Sequence, residues 1–429
     1  MAFTLMLATV NSCIDEIDLD TVSSSELKDI LVVEGILTSE MKNHQIRLSR
    51  IDSLVDLERD STYIWYLPER DVASDFVNYE RNAQVVVVDD SGVEYDFFES
   101  GPGIYESGIQ FAAANDNAYQ LKITTADGKG YTSKPMAING TSEIINAYAE
   151  KVVTDTGVEG IGIFIDNESA AGNAKNFRFT YDETYKIIAP EWSPYEFKLT
   201  NYDPCALPVP TYNLEIVERQ EEQQTCYNTV ASNTIIQTQL NTTGSGVDKF
   251  MVRFIAKDNF IISHRYSIEI SQLVTGIDSY GFYEQLNDFS QTGNIFSQVQ
   301  PGFIEGNVSS NDGVQGSVIG FFDVASVSNK RMFFNYTDFY ANEPLPPFPF
   351  NCGVHSSPES HRSYCASGPD GGNSCPQSII EMVNLDLIRY VDENFDNIGT
   401  CPGPYTYVPS ICGDCTTMGS NVVPEFWIE

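Results

Sequence analysis

The chain has 429 residues, with 60 Asp and Glu against 24 Lys and Arg and a formal charge of -36 at pH 7. Acid spread along the chain at this density repels phosphate backbones, whose binding needs Lys and Arg to displace counterions, so nucleic acid is not an expected partner. Single cores rarely grow past about 250 to 300 residues, so two domains are expected; 23 Tyr, 25 Phe and frequent β-branched runs indicate a mostly β protein.

Residues 1–12 read as a lipoprotein signal segment. Met1 to Val10 is apolar, and Val10-Asn11-Ser12-Cys13 places a small residue directly before a cysteine. The positive leader is missing and the apolar stretch is short, two defects that a start codon assigned too late would explain. The competing reading is a free cysteine near a frayed end. Acylation of Cys13 would tether the chain, each buried methylene contributing about 0.8 kcal/mol. No later stretch approaches the ~20 apolar residues of a membrane-crossing helix. Behind the cysteine, Asp15, Glu16 and Asp18 form an acidic run, and residues 13–30 read as a solvated tether. That run resembles the signal that sends Bacteroidota lipoproteins to the cell surface.

From residue 31 short apolar segments alternate with turn residues. Strands are expected at 31–37, 43–51, 82–88, 93–98, 103–109, 118–124 and 129–134, separated by turns such as Asp89-Asp90-Ser91-Gly92 and Ala126-Asp127-Gly128-Lys129. Short strands at this spacing suggest an immunoglobulin-like β-sandwich over residues 31–135. Tyr119, Leu121 and Ile123 should point inward, with Gln120, Lys122 and Thr124 in water. Between Asp52 and Tyr79 a long insertion carries Tyr63, Trp65 and Tyr66, residue types that bind partners or stack on sugars. Packing of the insertion on its own sandwich is the equally weighted alternative.

A linker at 135–145 leads to a second β unit, residues 144–429. Its expected strands are 160–166, 176–186, 195–199, 212–218, 235–240 and 249–256. Segment 200–232 is polar, and Cys205 with Cys226 would close it as an insertion loop. Ile262, His264, Tyr266, Ile268 and Ile270 then alternate with polar residues, the period of a strand with one wet face. An amphipathic helix follows, with Phe282, Leu286 and Phe289 on one side, Asp278 or Ser279 as N-cap and Gly293 as the stop. A glycine-rich crossing precedes two strands, 317–324 and 330–335.

Eight of the nine cysteines follow Cys13: Cys205, Cys226, Cys352, Cys365, Cys375, Cys401, Cys412 and Cys415. An even number in an exported chain suggests disulfides, and six fall in the segment 345–429, where Gly, Pro and Ser leave little core. Zinc is the weaker alternative, since Cys412-Gly413-Asp414-Cys415 has no second pair at zinc-ribbon spacing.

Catalytic signals are sparse, and the chain does not read as an enzyme. His44 and His264 lie in alternating strands, His355 and His361 share a loop without the helical spacing of zincins, and no phosphate-binding or nucleophile motif is present. No cofactor and no metal is expected. Acidic turns at Asp89-Asp90 and Asp392-Glu393-Asn394 with Asp396 do not follow a calcium loop and read as solvated. Phe426 and Trp427 read as a buried latch.

The opening Val32-Val33-Glu34-Gly35-Ile36-Leu37-Thr38, Gly103-Ile104-Tyr105, Tyr119-Gln120-Leu121, the Gly293-Asn294-Ile295-Phe296 to Gly306-Asn307-Val308 crossing, Gly320-Phe321-Phe322, the Cys412 to Cys415 motif and Pro424-Glu425-Phe426-Trp427 occur in one order. Together they resemble a Bacteroidota lipoprotein family, domain of unknown function 4249, over nearly the whole chain. The resemblance implies a surface lipoprotein of the outer membrane, encoded beside TonB-dependent receptors and working with an outer-membrane β-barrel. It supplies no catalytic residues. A free-standing surface module that binds glycan or protein is the alternative.

Overall fold

The computed structural model describes residues 30–51, 78–168, 171–207, 211–241, 246–291, 306–314, 318–357, 379–395 and 403–429. The protein is mostly β, and its organising element is one strand, Val318–Asn335. Its first half pairs in parallel with Leu31–Thr38, from Leu31 opposite Val318 to Thr38 opposite Ala325. Its second half pairs antiparallel with Arg265–Thr275, from Val274 opposite Ser326 to Arg265 opposite Asn335. The sequence suggests two strands here because Ser326, Ser328 and Asn329 read as punctuation. Those small polar residues instead serve the crossing linker: Ser326 Oγ donates to Gly140 O at 2.6 Å, and Ser328 Oγ accepts from Ile144 N at 3.0 Å.

All of the strands expected in the N-terminal unit are present. From Leu31–Thr38 they follow one hydrogen-bonded path through Gln45–Arg50, Ile104–Ser107, Glu94–Gly101, Gln84–Asp89, Ala118–Thr124 and Gly130–Ser133. Tyr119, Leu121 and Ile123 are buried as the alternation requires, in one core with Leu31, Ile46 and Val87. Gly92 and Gly128 hold positive φ at the two turns. The core also takes Val318, Phe322 and Val324 from the long strand, and Val308–Ser310 extends the path beside Gly130–Ser133. Asn307 fixes this return: its side chain donates to Phe322 O at 2.7 Å and accepts from Phe322 N at 2.8 Å. Gly320, at φ +150°, lies so close to Val33 that a Cβ would overlap the Val33 carbonyl.

The second unit packs a three-stranded sheet, Ile144–Val153, Glu159–Asn167 and Phe250–Ala256, against Asn176–Ile188, Arg265–Thr275 and the second half of the long strand. Ile161, Ile163, Phe179, Ile268 and Ile270 form its centre. The face of Arg265–Thr275 expected to be wet is only partly so: Arg265, Glu269 and Ser271 are half-buried and Ser267 is fully buried, while Gln272 is buried on the opposite, apolar face. The strand is central in its sheet, with one face under the three-stranded layer, and on the other face Arg265 reaches the Ile428 carbonyl. Gln272 is satisfied by Asn167 Nδ2 at 2.8 Å and Ser142 O at 3.0 Å, so its burial costs no unpaired amide. The strand starts at Arg265, after a 3-10 turn at Phe260–Ile262.

The helix spans Ile277–Gln291 and lays Phe282 on Phe321, with ring centroids 5.4 Å apart. Ser279 is not its cap; its hydroxyl donates at 2.5 Å to the buried carboxylate of Asp323, which ties the helix to the long strand. Residues 200–232 are not a loop closed by Cys205 and Cys226. They contribute a hairpin, Tyr195–Asp203 with Thr211–Glu218, and the strand Thr225–Ala231, which pairs with Asn176–Ile188.

Two disulfides hold the C-terminal segment. Cys352 bonds Cys412, and Cys226 bonds Cys415 across 189 residues of sequence. Cys415 therefore reaches out of the tail and into the second core, and Cys205 is a free, exposed thiol instead of a bridge partner. Cys365, Cys375 and Cys401 lie outside the described residues. The Phe426 and Trp427 latch is present: Trp427 packs on Tyr227 and Phe333, and the Arg331 guanidinium sits 3.5 Å from the centre of the Phe426 ring.

Candidate binding cavity

At one end of the second unit, segments remote in sequence meet. Asn176 opens the strand Asn176–Ile188, opposite both Thr275, which closes Arg265–Thr275, and Gln239, which closes Ile236–Gln239. The helix starts two residues after Thr275. From the other side the linker reaches the same place, because Gly140 pairs with Gly172 and Asn139 O accepts from Asn173 N at 3.0 Å. The approach needs two glycines: a Cβ on Gly140 would overlap Ala171 O, and Gly172 holds φ +69°.

These segments enclose an open cavity of about 450 Å³ walled by Asn139, Asn173, Lys175, Asn176, Gln239 and Asn241. Thr275, Gly276 and Ile277 form the part below the helix start. Five of the six wall residues named are carboxamides, which both donate and accept hydrogen bonds. Asn176 is only 5% exposed. Its Oδ1 accepts from Gln239 Nε2 at 2.7 Å, and its Nδ2 has no partner among the described residues. A buried amide with one free end in a cavity wall is a group positioned to bind.

Two further concavities are lined by the chain's own ion pairs. One, about 500 Å³ beside Pro344 and Pro346, holds Lys257 between Glu159 and Glu343. The other, about 320 Å³, holds His264, Lys186 and Arg265 around the C-terminus, where Lys186 pairs with Glu429 at 3.0 Å and Arg265 bonds the Ile428 carbonyl. Burial, and then Lys186, lowers the His264 pKa, so the ring is neutral at pH 7.

Several sequence candidates prove structural. His44 is buried, its Nε2 2.9 Å from Phe111 O, and burial lowers its pKa. Asp89 closes its own turn by accepting from Ser91 and Val93, bonds that lower its pKa, the Ser91 hydroxyl most. Asp414 inside the Cys412 to Cys415 motif accepts from Thr416 N at 2.9 Å and from Arg389 Nη2 at 2.9 Å. With both cysteines in disulfides, this motif is a stapled turn. Among the described residues no cluster of three or more His, Cys, Asp or Glu could hold a metal, and no helix is long and apolar enough to cross a membrane. Cys13, Asp15, Glu16, Asp18, Tyr63, Trp65, Tyr66 and His361 lie outside the described residues.

Sequence reading did not find the cavity, although a weak signal was present: Asn139-Gly140 and Gly172-Asn173 place an amide beside a glycine at both crossing points. Fold and cavity define a mostly β, disulfide-stapled protein with one open, amide-walled recess. The chain belongs to the family described as Domain of unknown function (DUF4249), which matches residues 14–331. The match ends inside the long strand, so Cys352, Cys412, Cys415 and Trp427 lie beyond it. No curated protein matches the chain.

Proposed function

We propose that the protein is a lipid-anchored outer-membrane protein, facing outward, that serves as partner subunit of a β-barrel of the TonB-dependent transporter type, through protein contact and ligand capture. The observation that carries this reading is the pair of buried disulfides. Such bonds persist in oxidising compartments and are rare in the cytoplasm, so they fit an exported chain. Cys13 behind its apolar segment supplies the anchor, and Asp15, Glu16 and Asp18 supply the outward signal.

Purification in mild detergent tests it. A barrel protein should co-purify in near-equal amount, and its absence would count heavily against the partnership. Cys13→Ala should release the protein from washed membranes; retention there would mean another anchor. Replacing Asp15, Glu16 and Asp18 with alanine should preserve acylation yet reduce cleavage by protease added to whole cells. The cavity favours a second reading, a free-standing surface module that binds glycan, because amides dominate its described walls.

A further inference from the structure

Resting on the ligand-capture part of that reading, we infer that the cavity is a saccharide site, and that it takes a glycan bearing an acidic group which pairs with Lys175. The amide walls match vicinal hydroxyls, each of which needs one donor and one acceptor in fixed positions. Asn176 is held by Gln239 with its free Nδ2 on the wall, so part of the site is ordered before a ligand arrives. The paired glycines at 140 and 172 fix the opposite wall. A volume of about 450 Å³ lies within the ~300 to 1,000 Å³ of ligand clefts.

Charge selects within the saccharides. In a chain with 60 carboxylates, Lys175 is half-buried and has no carboxylate partner among the described residues. Lys42, Lys129, Lys186, Lys249 and Lys257 are paired, and Lys122, Lys134, Lys151, Lys198 and Lys330, which also lack a carboxylate partner among the described residues, are exposed. Among the described residues that line the cavity there is no carboxylate. The start of the Ile277–Gln291 helix adds backbone N–H groups without intrahelical partners, which favour an anion, and Asp278 of the same turn is the charge that Lys175 has to outweigh. The described lining residues include no aromatic ring; binding through them rests on hydrogen bonds and charge, and salt should weaken it.

The test titrates the full-length protein in detergent with trigalacturonate and, separately, with the neutral galactotriose, by calorimetry. Trigalacturonate should bind, and galactotriose should bind about tenfold more weakly, a difference typical of one charge-assisted contact. Lys175→Gln should remove that difference, and Asn241→Ala should weaken both, with unchanged melting curves for the two variants. Failure of both probes to bind, or binding that neither substitution alters, overturns the site. Equal affinity for the two probes overturns the acidic preference. A barrel that co-purifies while neither probe binds leaves the partnership standing and removes this inference. Binding without a barrel does the reverse.

Discussion

The core around Leu31, Tyr119 and Phe322 contains no cysteine and closes through strand pairing alone, whereas the core around Ile163, Phe179 and Ile268 is bolted to the chain's last segment by Cys226 and Cys415. The difference follows from what each partner can bury. Leu31–Thr38, Gln45–Arg50, Gln84–Asp89 and Ala118–Thr124 present alternate apolar residues to one interior. The C-terminal segment has Val408, Ile411 and Cys412 as its own buried cluster, so covalent bonds do what apolar area does elsewhere.

The sharpest way to break the comparison is at the junction. Gly320→Val forces a Cβ into the Val33 carbonyl at a φ that side chains rarely adopt, and should destabilise the protein by more than about 3 kcal/mol. Denaturant unfolding followed by the buried tyrosines of the N-terminal core would read this; a change under about 1 kcal/mol would mean the junction yields without penalty.

Next in size is the bridge. Cys226→Ser with Cys415→Ser should cost about 2 to 4 kcal/mol by freeing the unfolded chain. Limited proteolysis should then cut within residues 345–429 first while residues 31–133 persist, and the opposite order would reverse the contrast between the cores. Trp427→Ala should follow with about 1 to 2 kcal/mol, in the ordinary range for one substitution, since it strips the packing from Tyr227 and Phe333 at the edge of the core but leaves both disulfides. A melting temperature unchanged from the parent protein would show the latch to be ornamental.

Acid should have the smallest effect. His44 has a folded-state pKa lowered by burial, so the unfolded chain binds its proton first. Its contribution is full above the unfolded value near 6.5 and is lost as pH falls through the folded one. Glu429, held down chiefly by its hydrogen bond to Lys186, adds a second loss lower on the scale as the latch carboxylate takes its proton. His44→Gln keeps an amide for Phe111 O and should flatten stability between pH 7.5 and 5.5; an unaltered profile would assign that slope to other groups.

Much of the fold was legible because it rests on local patterns. The period of two at Tyr119, Leu121 and Ile123 needed no knowledge of neighbours, and Gly92 and Gly128 marked turns by their permitted φ. What failed was long-range. Ser326 and Ser328 resemble a turn until Gly140 and Ile144 are seen to cross them. Ser267 looks solvent-facing, yet it is fully buried on the face of its strand that the period of two assigns to water. Cys226 gives no hint that its partner is Cys415 instead of Cys205, because pairing depends on which strands meet. The cavity was least legible, for Asn139, Asn173, Asn176 and Gln239 each look like ordinary surface amides, and only topology collects them.

The long strand also sets an order of events. Leu31 is among the first described residues, yet its parallel partner is Val318, and closing so long a loop before any contact rewards it is slow. A chain emerging from its amino end would hold an incomplete N-terminal core, with Leu31–Thr38 lacking one neighbour, until residues 318–325 arrive. That exposed edge invites pairing with other chains. Growth from the amino end therefore carries the risk of aggregation until a strand of the second unit arrives to seal the first.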